Sequence, residues 1–194
     1  MASPAQIILS CTLNGVGVSQ TIAEPISGVM TESIVIPAAK AGTIASSILT
    51  LSTGHGINTG DRIDVYWGTG KHIGCLVGTV SGNSVPISAG AGDALPTGGA
   101  IISCMVPIVK PFAVLAVNMN VILLSCASAT EAVAAFADVT PTAKGTLSIT
   151  PSGSYVWYRD SGLTNPVSAD PTQVFLSHGD ITSPRTFQLV VGVA

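Results

Sequence analysis

Ser52-Thr53-Gly54-His55-Gly56-Ile57-Asn58-Thr59-Gly60-Asp61 runs directly into Arg62-Ile63-Asp64-Val65-Tyr66-Trp67, and this junction decides the fold. A glycine-rich loop can cradle a phosphate, but only when it leads into a helix N-terminus. Residues 62–67 alternate instead. Ile63, Val65 and Trp67 share one face and Arg62, Asp64 and Tyr66 the other, which is the period of a half-buried strand. The loop is therefore a tight connection between a strand at Ile48 to Ser52 and a strand at Asp61 to Trp67.

The pattern continues on the C-terminal side. Ile73 to Val80 and Ser84 to Ser88 read as a hairpin across Ser81-Gly82-Asn83-Ser84, with Gly82 supplying the positive φ of a type II′ turn. A long loop from Gly90 to Gly99 leads to a closing strand at Ala100 to Val106. Residues 43–104 are expected to form a small closed barrel of about five strands. Outside it, strand-like pieces fall at Gln6 to Leu13, Glu32 to Ile36, Ala113 to Leu124, Gly145 to Thr150, Ser154 to Tyr158, Gln173 to Ser177 and Thr186 to Val193. Turn residues separate them, as at Pro151-Ser152-Gly153 and Asp160-Ser161-Gly162. Ala127 to Ala137 could start as a helix capped by Thr130, but its Ala-Val-Ala-Ala-Phe-Ala run also alternates and strands surround it, so we read it as a strand.

The segment 1–42 is too short to bury its own apolar face and is expected to join 105–194 in one sandwich, with the barrel at 43–104 as an insertion. The expected fold is all-β, a jelly-roll-like β-sandwich carrying a small β-barrel.

Charged residues are only 9% of the 194, against roughly 25% in an average soluble domain. A free monomer stays in solution by spreading charges over its surface, so this deficit points to a subunit covered by neighbours. The missing charge is localised. Glu24 is the only charged residue among the first 31, and Asp93 the only one from Cys75 to Val109. The N-terminal strand Gln6 to Leu13 and the strand Thr186 to Val193 lack the charges that block edge pairing, so both are expected to be joints between chains. A net charge of -3 and seven scattered basic residues disfavour nucleic-acid binding. No basic residue precedes Lys40, so a signal peptide is not expected. The apolar run Phe112 to Leu124, broken by Asn118 and Asn120, falls short of the ~20 residues of a membrane span.

Chemistry has few candidates. His55, His72 and His178 are the groups suited to acid-base work near neutral pH, but no nucleophile elbow accompanies them. Asp61 and Asp64 point to opposite strand faces, and Cys11, Cys75, Cys104 and Cys126 contain no C-x-x-C pair. The expectation is no catalysis, no metal and no cofactor, with reduced thiols packed as small hydrophobes. The aromatic residues Tyr66, Trp67, Tyr155, Trp157 and Tyr158 are the candidate interaction residues, since paired rings near loops can stack on sugars. Trp67 and Trp157 also fall on apolar strand faces, where they would plug the barrel and the sandwich.

The segment Gly54-His55-Gly56-Ile57-Asn58-Thr59-Gly60-Asp61 before an alternating strand resembles structural proteins of tailed bacteriophages and prophages. Asp160-Ser161-Gly162-Leu163-Thr164-Asn165-Pro166 and Leu189-Val190-Val191-Gly192-Val193 are similar to such proteins too. The resemblance implies a virion component assembled in the host cytoplasm, foremost a capsid decoration or cement subunit. Its partners would be the major capsid protein or other virion proteins, with trimeric self-association and no nucleic acid or membrane. A tail-tube or connector subunit is the alternative within that class, and a carbohydrate-binding attachment module the alternative outside it.

Overall fold

In the computed structural model, residues 6–13, 16–23, 28–106, 108–109, 119–137, 145–158, 162 and 173–193 are described. Among them the regular elements are seventeen strands, with no helix. Except for Gly162, the turn and loop expected at 160–166 lie outside the described residues, as does the first part of the strand expected from Ala113. The strand expected within 127–137 is present at Ala132–Ala137.

The barrel uses β4 (Lys40–Ala45), β5 (Ile48–Leu51), β6 (Arg62–Trp67), β7 (Gly70–Val77), β8 (Ser84–Ser88) and β10 (Gly98–Met105). Their order is β6-β10-β4-β5-β8-β7, and β7 pairs back onto β6 to close a ring of six. The short β9 (Ala91–Gly92) adds to β7 at His72 and Ile73. Six strands replace the expected five or so because β4 and β5 are separated at Ser46-Ser47, a turn without Gly, Pro or Asn to announce it. Both serines adopt positive φ, 48° and 62°. Alternate residues of each strand fill the interior, and Ile44, Leu49, Ile63, Val65, Cys75, Val77, Val85 and Ile101 form one buried cluster. The loop 52–61 is fixed from within. His55 Nδ1 accepts the Ile57 N–H at 3.0 Å while Nε2 donates to the Gly82 carbonyl at 3.1 Å. Asp61 accepts the Asn58 N–H at 2.7 Å, and Ile57 drops into the barrel core.

The sandwich has two antiparallel sheets. One is ordered β15 (Ser154–Tyr158), β12 (Met119–Cys126), β17 (Arg185–Val193), β3 (Gly28–Ile36). The other is ordered β11 (Ile108–Val109), β16 (Gln173–His178), β13 (Ala132–Ala137), β14 (Gly145–Ile149). Taking β3, β11, β12, β13, β14, β15, β16 and β17 as first to eighth, the sheets read 1-8-3-6 and 2-7-4-5, the interleaved order of a jelly roll. The barrel interrupts the connection from its first strand to its second. Leu124, Trp157, Phe187 and Leu189 from one sheet pack against Ala134, Ile149, Val174 and Leu176 from the other. Tyr66, Ile73 and Cys104, on the outside of the barrel, belong to this same cluster, so the two units share a core.

Of the N-terminal segment, β3 enters the sandwich and Lys40–Ala45 enters the barrel. The remainder, β1 (Gln6–Leu13) and β2 (Val16–Ala23), pairs among the described residues only with itself, from Gln6 opposite Ala23 to Leu13 opposite Val16. Thr186 to Val193 is not an edge, contrary to the expectation of a joint there. β17 is central, flanked over its length by β12 and β3, because β3 supplies the missing ladder from Gly28 to Ile36.

The Ser46-Ser47 turn predicts an easy gain. Left-handed conformations are costly for side chains with a Cβ, and two-residue hairpin loops prefer Asn-Gly. Ser46→Asn combined with Ser47→Gly should stabilise the fold by about 1 kcal/mol. The readout is the urea unfolding midpoint, and an unchanged or lower midpoint would show the turn to be unstrained.

Candidate functional site

Arg62 stays partly exposed, but at Asp64 and Tyr66 the polar face of β6 expected at Arg62, Asp64 and Tyr66 does not face water. It faces the jelly roll, and Asp64 is only 1% exposed. A β-bulge sits beside it, where Ile73 and Gly74 of β7 together oppose Asp64. Gly74 has φ 72°, the left-handed conformation such a bulge requires, and its N–H points to Asp64 Oδ1 at 2.6 Å. Ser177, wholly buried on β16, donates its hydroxyl hydrogen to Asp64 Oδ2. With that hydrogen used, the Tyr66 hydroxyl donates to Ser177 Oγ. The Tyr66, Ser177, Asp64 chain thus crosses from barrel to sandwich in the interior.

Burial pushes the Asp64 carboxyl up to about 6, against the Ser177 and Gly74 hydrogen bonds and the nearby His72 and Lys71, which pull it down. Burial, and then the Asp64 charge, drives the Tyr66 phenol well above its usual range. Ser177 has no open side from which a substrate could approach, so the chain is an internal strut and not a nucleophile with its base.

The histidines each bond within the fold. His55 staples its loop as described. His72 faces two carbonyl oxygens, of Asp93 at 2.8 Å and Ala89 at 3.1 Å. His178 is buried, accepts the Asp180 N–H at 3.2 Å and approaches the Ile36 carbonyl at 3.4 Å, and burial lowers its pKa. Asp180 binds Arg185 at 2.5 Å and accepts from the Thr182 hydroxyl and N–H, and those Thr182 bonds come first in holding its carboxyl well below the usual range. Cys75, Cys104 and Cys126 are free and buried, with burial pushing their thiols up to about 12, 12 and 11. Cys11 is not among the residues whose side chains are described. Among the described residues no three His, Cys, Asp or Glu side chains gather as a metal site.

Beside the strut, the barrel and the loops 127–131 and 179–184 of the jelly roll border an open cleft of about 740 Å³. Tyr66 and Trp67 line it, with Lys71, Asp93 and Glu131. Lys71 Nζ meets Glu131 Oε1 at 2.6 Å and also donates to Ser148 Oγ, tying β7 to the sandwich. Trp67 is half-buried, packed on the barrel core and bordering the cleft, so it is not a complete plug. Tyr155, Trp157 and Tyr158 are elsewhere, on the outer strand β15, where Trp157 is buried in the sandwich core and Tyr155 packs against it. The five aromatic candidates therefore do not form one site. Lys71, Asp93, Glu131 and Ser177 were not foreseeable as partners, because Lys71 and Asp93 are 22 positions apart, Lys71 and Glu131 60, and Asp64 and Ser177 113.

No family model, curated protein or solved structure matches this chain.

The strut carries a pH prediction. A carboxyl raised from 3.8 to about 6 holds its proton more tightly when folded. Its stabilising contribution is full below about pH 4 and is lost as pH rises through about 6. The loss is on the order of 2–3 kcal/mol. Asp64→Asn can keep the Gly74 bond while removing the titration. Unfolding free energies of both proteins should diverge across about pH 4 to 7. A constant difference over that window would refute the assignment.

Proposed function

We propose that the chain is a structural virion subunit of the tailed-phage type, foremost a capsid decoration or cement protein that stabilises a shell by covering its neighbours. The observation that carries this reading is the β1–β2 hairpin. It pairs with no other strand among the described residues, and residues 6–23 contain no Asp, Glu, Lys or Arg. An isolated two-stranded hairpin is marginal in water, and uncharged edges invite pairing with another chain. The hairpin is thus an arm suited to a partner's sheet, with the major capsid protein or a second copy as the receiver. Trimers suit positions of local threefold symmetry in a shell. The jelly-roll topology supports the reading by fold-level analogy, since viral capsid domains use it, although lectins do as well. The mechanism is burial of surface without chemistry.

Deleting residues 1–23 is the test. The barrel and jelly roll should keep their far-UV spectrum and thermal midpoint, while incorporation into particles falls to background. Wild-type incorporation of the truncated chain would defeat the proposal. Rings or tubes of purified protein in electron micrographs would instead favour the tail-tube alternative, in which sheets close between neighbours.

A further inference from the structure

We infer that the cleft between the barrel and the jelly-roll loops is a binding site for a neutral, hydroxyl-rich ligand, a pyranose glycan of one or two residues. Its volume of about 740 Å³ is within the range of small-ligand pockets. The lining combines one large aromatic side chain with two separate carboxylates. Trp67 offers an apolar face on which the C–H side of a sugar ring can lie. Asp93 and Glu131 supply acceptors for the hydroxyls that point away from that face.

The arrangement of these groups depends on Gly70. A Cβ there would stand 2.8 Å from Asp93 Oδ2 and 2.8 Å from Trp67 Cζ2, so the absence of a side chain lets ring and carboxylate close in together. Asp93 is further oriented by accepting the Lys71 N–H at 3.0 Å. The opposite wall is held by the Lys71 to Glu131 ion pair, which joins barrel to sandwich. A site held from both sides loses less freedom when a ligand enters.

Charge selects the ligand class. Among the described residues lining the cleft, Lys71 is the one cation, and it is already paired with Glu131, while Asp93 adds a second carboxylate. The cleft is net negative and repels phosphate, sulfate and carboxylate groups. A carboxylate has about four lone-pair sites, so each acid retains acceptor capacity beyond the bond described. Neutral hydroxyl donors match that capacity. The site is independent of the assembly reading, because it includes no residue of the β1–β2 hairpin.

The experiment is a glycan array carrying neutral, sialylated and sulfated pyranose oligosaccharides, probed with the intact chain, then titration calorimetry with the best neutral glycan. Neutral glycans should bind and the anionic ones should not. Trp67→Ala should weaken binding roughly tenfold or more. Because Trp67 also packs on the barrel core, Asp93→Asn is the second variant. It retains an oxygen for the Lys71 N–H and should weaken binding severalfold with the thermal midpoint unchanged. The chain lacking residues 1–23 should bind as the intact chain does, which separates this proposal from the arm. Failure of the intact chain to bind any neutral glycan, preference for anionic glycans, or binding unaffected by Asp93→Asn would overturn the inference.

Discussion

The buried carboxylate of Asp64 is the constraint around which the two halves of the molecule are organised. A charge can leave water only if its lone pairs are satisfied, and here the partners come from both units: Gly74 from the barrel bulge and Ser177 from the jelly roll. Sliding or tilting the barrel against the sandwich would strip one oxygen of its donor. Apolar contacts of Tyr66, Ile73 and Cys104 supply the attraction across the junction, but apolar contact alone tolerates many orientations. The polar strut selects one. The cleft inherits its shape from that selection, since its walls belong to different units.

The sequence exposed the strands more readily than their partners. Alternation at 62–67, the glycine turn at Gly82 and the short apolar segments elsewhere are local signals, and the corresponding strands formed. The jelly-roll-like expectation extends to the strand order itself. What stayed hidden was non-local. Asp64 and Tyr66 on the polar face of β6 looked like solvent-facing residues, because the residue that receives them is Ser177, on another sheet. The Ser46-Ser47 turn was silent because its residues are ordinary in composition and unusual only in backbone angle. The N-terminal hairpin did leave a sign: the two residues between Leu13 and Val16 are Asn14-Gly15, the pair that two-residue hairpin loops prefer.

The scarcity of charge also divides into two causes once the strands are placed. In the stretch from Cys75 to Val109, part of the explanation is internal, since Val77, Val85, Ile101, Ser103 and Cys104 are buried by the chain itself. In the hairpin the pairing offers no such account, because among the described residues its strands pair only with each other. The same compositional signal thus marks an interior in one place and an unpartnered sheet in another.

The position of the barrel within the jelly roll sets an order for folding. All six barrel strands lie between Lys40 and Met105, so the ring can close on contacts of short span. The sheet that carries it needs Gly28 opposite Val193, a pairing that must wait until Val193 has emerged from the ribosome. A finished barrel would therefore be tethered to an open sandwich during synthesis. β3 would meanwhile carry an unpaired ladder that β17 later covers, an interval in which neighbouring nascent chains are the competing partners.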